Sequence, residues 1–450
     1  MAFDEAYHFG LIQFFSHHLN PFITSQPVQA NYLGAIPHNP SILYHYLLSF
    51  PYRLIAHFTH SLEIQVIALR FINVAFAVTS LLIIRKIINA IGFSRPLSNI
   101  LVMLYAFTPI VSQLSAQINY DNLLILLTSL VLLQTVKFRD SWQEGRFDVK
   151  GLLTLLALCL FASEVKYAFL PIFVGLVFYI AWLLIAKWRS DRKWLFSSLR
   201  AGYNGIHRSV KVALLALIVA GTGMFVYFYG YNSVKYLNPV PQCSQVLSVN
   251  SCKSYAPWDR NYVLAASSHT APPLNALQYT HLWSRIMFYQ LFSATSPNGG
   301  SELPASHILK DMIVIILALA GICLVFNFQK VAKQYPYLPV LIIITVIYIV
   351  SLWLDNYQSY LNLDSPEGIQ GRYLLPVLII MYGVLALSLK SALETRKKPR
   401  AVLQLATIFV VAIFLLEGGY KTYVTEVSPS QQWEPNSAII DLSQEQKTHD

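Results

Sequence analysis

Charge is what this chain has least of. Asp, Glu, Lys and Arg make up 12% of its 450 residues, about half the share usual in a soluble protein. With 55% hydrophobic residues and a mean hydropathy of +0.49, such a chain cannot clothe a large globular surface in water-binding groups. A soluble enzyme is excluded, and lipid is the main solvent. Cysteine is scarce as well, at four. Cys159 and Cys323 fall inside apolar runs and read as small buried hydrophobes. No His/Cys cluster has the spacing of a zinc site. There is no internal repeat and no low-complexity tract. Residues 1–40 contain neither a basic region followed by an apolar stretch nor anything else of signal-peptide type.

Long apolar runs are what the chain has in abundance. Ten approach membrane-spanning length, near 64–84, 97–115, 122–136, 151–163, 167–186, 210–230, 312–328, 338–354, 373–389 and 401–416. The run at 151–163 is short for a full crossing unless neighbouring residues extend it. The composition therefore predicts an all-α polytopic membrane protein of about 10–11 transmembrane helices.

Most of the 32 Lys and Arg residues gather in alternate loops, around 85–95, 137–150, 187–211, 330–333 and 390–400. Cytoplasmic loops hold such an excess, so these face the cytoplasm. It follows that Asp4, Glu5, the stretch QINYDN, Lys166, residues 231–307, the stretch EGIQGRY and both termini face outside. The net charge of +10 is then a matter of topology, and no nucleic-acid partner is expected. A first residue already outside also leads us to expect a further span ahead of it.

The expected plan is a first external loop over 1–63, a block of spans over 64–230, a long external loop over 231–307, further spans over 308–417 and an external tail over 418–450. In the first loop, SILYHYLLSFPYRLIAHF carries His45, Arg53 and His57 among aromatics, which suits helices lying in the headgroup region. In the long loop, residues 277–292 read as another interfacial helix. Cys243 and Cys252 share that loop in PQCSQVLSVNSCKSY, and outside the cell they are expected to form a disulfide.

Four places carry residues that chemistry could use. Asp4 and Glu5, with His8 beyond them, precede any apolar run and either keep a terminus in water or supply a base. In QINYDNLLILL, Asp121 follows Tyr120 at the head of a span. An acid there caps a helix or faces a cavity. In FASEVKYAFLP, Glu164 and Lys166 interrupt two apolar runs. They either pair with each other or leave Lys166 to meet a lipid phosphate. In SPEGIQGRYLLP, Gly368 and Gly371 free the backbone around Gln370 and Arg372, with Tyr373 at headgroup level. That arrangement is either an interfacial anchor or an Arg fork that grips phosphate. If these groups meet, they pair a general base with a phosphate clamp, suited to transfer from a lipid phosphate to a hydroxyl or amine.

The acid pair followed by YHF, the stretch NPSILYHYLL, NYDN heading a span, KYAFLP and above all IQGRYLLP resemble bacterial membrane glycosyltransferases of the GT-C superfamily. The group of protein O-mannosyltransferases and aminoarabinose transferases is the nearest, with an uncharacterised branch that carries QGRYLLP-like stretches. The resemblance runs from Asp4 to about Leu389. It implies a GT-C-like bundle in the plasma membrane, a polyprenyl-phosphate-linked sugar donor, a lipid, glycan or protein acceptor at the outer face, and inversion at the anomeric carbon. By motif, Asp4 resembles the carboxylate that takes the acceptor's proton, with Glu5 beside it, and Asp121 the second acid. Lys166 and Arg372 look like phosphate holders, His8 and Tyr120 like pocket residues, and Gln370 and Tyr373 belong to the same binding stretch. Relatives normally place a span before the acid pair, whereas here Asp4 follows only MAF. No cofactor is implied, and with no DxD pair a divalent metal is not expected, although dependence on one stays open.

A transporter or flippase of lipid-linked saccharides would also want acids and cations near the membrane surface. Transporters, however, place polar breaks at matching positions in two halves near the midplane. Here ionisable residues gather at one face, with Arg70 the deeper exception. A saccharide polymerase or ligase is closer chemistry, and a scaffold without catalysis is the third alternative.

Overall fold

A computed structural model describes residues 4–267, 272–292, 307–335 and 337–393, with the single positions 404, 407, 408 and 411. Among the described residues every regular element is helical. In chain order these are α1 (Glu5–Ser16), α2 (Leu43–Phe58), α3 (Leu62–Ala90), α4 (Arg95–Ala106), α5 (Pro109–Ser115), α6 (Tyr120–Gln143), α7 (Val149–Val165), α8 (Leu170–Ser190) and α9 (Arg192–Asn204). They continue as α10 (Arg208–Phe225), α11 (Tyr231–Tyr236), α12 (Cys243–Val246), α13 (Val249–Cys252), α14 (Ala256–Ala266), α15 (Ala276–Leu291), α16 (His307–Gln334), α17 (Leu338–Leu363) and α18 (Leu375–Leu393).

Helix starts follow local chemistry. The Asn119 side chain accepts from the Asp121 N–H at 2.9 Å to begin α6, and Asp148 does the same for Gly151 at 2.8 Å to begin α7. Pro109 opens α5 immediately after Thr108, and α4 and α5 meet there at 70°. A proline's ring clashes with the preceding turn, so one straight helix cannot run through it. A π-helical turn, Val226–Gly230, joins α10 to α11.

Among the described residues, six helical stretches are long and apolar enough to cross a membrane: Leu62–Ala90, Tyr120–Gln143, Tyr167–Ser190, Arg208–Tyr236, Leu338–Leu363 and Gly371–Ser388. The bent α4–α5 pair makes a seventh if it is one span. The chain is an all-α polytopic membrane protein. Two of the ten expected runs differ for physical reasons. Residues 97–115 are broken at Pro109, and the 17 residues of α7 reach only about 25 Å, less than a hydrocarbon core. The run at 312–328 lies in α16, while that at 401–416 and the tail at 418–450 lie almost wholly outside the described residues.

Two spans form the centre. The apolar windows of Tyr120–Gln143 and Gly371–Ser388 are 67% and 72% buried, against 33% or less for the other four. Small residues allow close packing around them, as expected where lipid offers no hydrophobic driving force. A Cβ on Gly221 of α10 would lie 3.0 Å from Leu160 of α7. Helix α15, Ala276–Leu291, takes up the stretch read as an interfacial helix, yet it does more than rest on a surface. Tyr279, Trp283, Met287 and Leu291 form one buried stripe, and the Trp283 indole donates to Asn356 of α17 at 2.9 Å.

Candidate active site

The site forms where the starts of the two central spans meet α1 and the link between α7 and α8. Asp4 and Glu5 are neighbours at the start of α1, and the helical turn of about 100° per residue sends them different ways. The Glu5 carboxylate is fully buried. It takes both arms of Arg70, at 2.7 and 2.6 Å, and accepts the backbone N–H of Ile118 at 3.0 Å. The side chain of Asp4, by contrast, keeps 27% of its surface exposed and pairs with Arg372.

Asp121 lies nearly buried at the first turn of α6 and accepts from the Lys166 ammonium at 2.7 Å. Its second oxygen, Oδ2, faces Nε of Arg372 at 3.9 Å. Both of these atoms are buried without a hydrogen bond, as is Oε1 of Gln370. The Lys166 ammonium also lies over two rings, 4.4 Å from the centroid of Tyr120 and 4.5 Å from that of Tyr373. Lys166 is thus committed to Asp121, while both oxygens of buried Glu164 lack a hydrogen bond among the described residues. The chain Asp4, Arg372, Asp121, Lys166 alternates in sign from end to end.

The segment Gly371–Leu374 holds Arg372 in place through its glycine. A Cβ at 371 would meet the backbone of α15, 2.6 Å from Leu291 N and 2.7 Å from Met287 O. Its N–H donates to Gln290 at 2.9 Å, and the Tyr348 hydroxyl donates to the Tyr373 carbonyl at 2.6 Å. No other residue allows that approach.

His8 lies one turn along α1 from Asp4. It stacks on His45 of α2 with ring centroids 5.2 Å apart and contacts Tyr120 edge-on at 4.5 Å. His8 Nδ1 and His45 Nε2 are 2.9 Å apart, a hydrogen bond between neutral rings. Burial holds His45 down to about 3; burial, then His45 and the charges of Arg372 and Lys166, hold His8 well below the usual imidazole range.

The residues picked from the sequence as catalytic or substrate-binding therefore converge, with one difference: Glu5 turns away to brace Arg70 and the turn at 118. Cys243 and Cys252 are joined in the expected disulfide. Sequence reasoning passed over Tyr7 and Tyr255, whose rings pack 5.9 Å apart. Only their aromatic character hinted at a role. Among the described residues no group of three or more His, Cys, Asp or Glu side chains could hold a metal ion.

No curated protein and no solved structure matches the chain. The sequence model of the dolichyl-phosphate-mannose-protein mannosyltransferase family matches residues 7–232, which include His8, Tyr120, Asp121 and Lys166. That stretch is half of the chain and carries α1 to α10 with the heart of the charge chain. The protein belongs to the dolichyl-phosphate-mannose-protein mannosyltransferase family and is a multi-pass membrane glycosyltransferase.

Proposed function

We propose that the protein moves a sugar from a polyprenyl-phosphate-sugar donor to a hydroxyl of a protein acceptor, in one inverting displacement at the outer face of the plasma membrane. The observation that carries this reading is the meeting of Asp4, Asp121, Lys166 and Arg372, from four separate segments, in one charge chain. Membership of the family supports the donor class and the protein acceptor. The gathering of Lys and Arg in the loops at the opposite ends of the spans supports the outward orientation.

Asp4 suits the general base because it is the more accessible acid, with 27% of its side chain exposed against 4% for Asp121. The acceptor oxygen attacks the anomeric carbon, its proton passes to Asp4, and the bond from that carbon to the phosphate oxygen breaks. The lipid phosphate keeps the bonding pair and leaves. Arg372 and Lys166 neutralise the charge that grows on it, with Arg372 exchanging Asp4 for the phosphate as the donor binds. Asp121 positions both cations. The Tyr120 and Tyr373 rings fix the ammonium between them.

The test is release of polyprenyl phosphate from a panel of polyprenyl-phosphate sugars, with and without peptide acceptors, by wild type and Asp4→Asn. Acceptor-dependent release that falls about a hundredfold or more in folded Asp4→Asn supports the assignment. Release at the wild-type rate removes Asp4 as base. No release from any donor by protein that binds such lipids would turn the reading to transport.

A further inference from the structure

A segment beyond the family match reaches into the site. Residues 243–266 begin with α12 and α13, tied by the Cys243–Cys252 disulfide, and end with α14. Tyr255 lies between α13 and α14 and is held from both sides. Its N–H donates to Cys252 O at 3.0 Å, and its carbonyl accepts from the N–H groups of Trp258 and Asp259, each at 3.0 Å. Beneath it lies Gly34, at φ +76°, where a Cβ would come within 3.0 Å of the Tyr255 ring. The ring packs against Tyr7 of α1, three residues from Asp4, at 5.9 Å between centroids and 32° between planes. Five residues further on, Arg260 pairs with Glu367 at 3.0 Å, three residues before Gln370. The segment is thus anchored on the two stretches that bring Asp4 and Arg372 together.

Both rings are only partly buried. Burial, then the Asp4 carboxylate, hold the Tyr255 phenol above its usual range, so it stays neutral while lying close to the acid. The donor phosphate belongs with Lys166 and Arg372, and Lys166 is flanked by Tyr120 and Tyr373 rather than by Tyr255. The paired phenols therefore stand on the base's side, where the acceptor must bring its hydroxyl. Flat rings with polar edges grip proline and aromatic side chains in this way.

We infer that Tyr7 and Tyr255 form the acceptor subsite, a phenol wall beside Asp4 on which an extended peptide lays the side chain next to its acceptor hydroxyl. The disulfide-bonded segment 243–266 is the element that sets acceptor choice. This rests on the reading of Asp4 as base in a protein-directed transferase.

The experiment uses the full-length protein in detergent with polyprenyl-phosphate mannose and two Ser/Thr peptides, one with proline beside the hydroxyl residue and one with alanine there. Tyr255→Ala is expected to raise the KM of the proline peptide about tenfold, with the donor KM moving less than twofold and Tyr255→Phe staying near wild type. The Cys243→Ser/Cys252→Ser pair is expected to shift the same KM in the same direction. Direct binding of the proline peptide in the presence of polyprenyl phosphate is expected to weaken to match. Unchanged peptide KM and binding in folded Tyr255→Ala overturn the subsite and leave the transferase reading standing. A donor KM rising in parallel overturns it equally. Transfer absent from the wild type with every donor of the panel overturns the transferase reading, and the subsite with it.

Discussion

Two adjacent acids at the head of α1 do different work, and the difference can be measured. Glu5 is fully buried against the partly exposed Arg70 and the Ile118 N–H, so Glu5→Gln replaces the charged half of that two-armed pair by a neutral amide. Breaking a fully buried pair costs about 3–5 kcal/mol, and the partial exposure of Arg70 lowers the cost here. The expected outcome is a lower thermal midpoint and poor recovery from the membrane, whereas Asp4→Asn folds normally and loses transfer. Arg372→Lys tests the fork on the other side. Lysine keeps the charge and loses the two-armed geometry, so the donor KM is expected to rise about tenfold with the melting temperature nearly unchanged. The stacked imidazoles respond to acid. His45 is held down to about 3 in the folded state, and an unfolded histidine takes a proton near 6.5. The unfolded chain therefore binds more protons as pH falls below about 6.5, and stability declines by up to about 1.4 kcal/mol per pH unit and histidine. Thermal midpoints measured from pH 7.5 to 5 are expected to drop, and less steeply in His45→Gln.

Helices and links decide where these residues meet. At Gly371 a methyl group would press on the backbone of α15, so Gly371→Ala is expected to displace Arg372 and weaken donor binding before it unfolds the bundle. Donor titration against the purified variant checks this. The charged positions of the candidate site were legible because each interrupts an apolar run: Asp121, Lys166 and Arg372 all stand at span ends. Their partners were not. Lys166 bonds Asp121, 45 residues away, rather than Glu164, its near neighbour, and Glu5 bonds Arg70 across 65 residues. Such choices depend on helical phase and on how the spans pack, which apolar composition does not record. The fold shows the same division. Uniform runs announced α3, α8, α10 and α17, whereas the bend at Pro109 was hidden inside what reads as one apolar stretch. The short helices of residues 243–266 lack periodicity long enough to read, and their course follows from a disulfide and one ion pair.

At the scale of the whole molecule, the most buried spans, α6 and the one that begins at Gly371, each carry a site residue at the same end of the bundle. The candidate site sits at the rim of the most buried part, while the more exposed spans surround it. That arrangement leaves a balanced circuit of charge in the resting protein, since each of two acids is joined to one of two cations. A sugar phosphodiester brings one more negative charge and competes with Asp4 for Arg372. Once the guanidinium turns to the phosphate, the aspartate loses its cation and its oxygens are open to the acceptor hydroxyl. The circuit thus imposes an order of events. An acceptor that arrives first meets a carboxylate already occupied, and one that follows the donor meets a carboxylate set free, so steady-state kinetics should show compulsory donor-first binding.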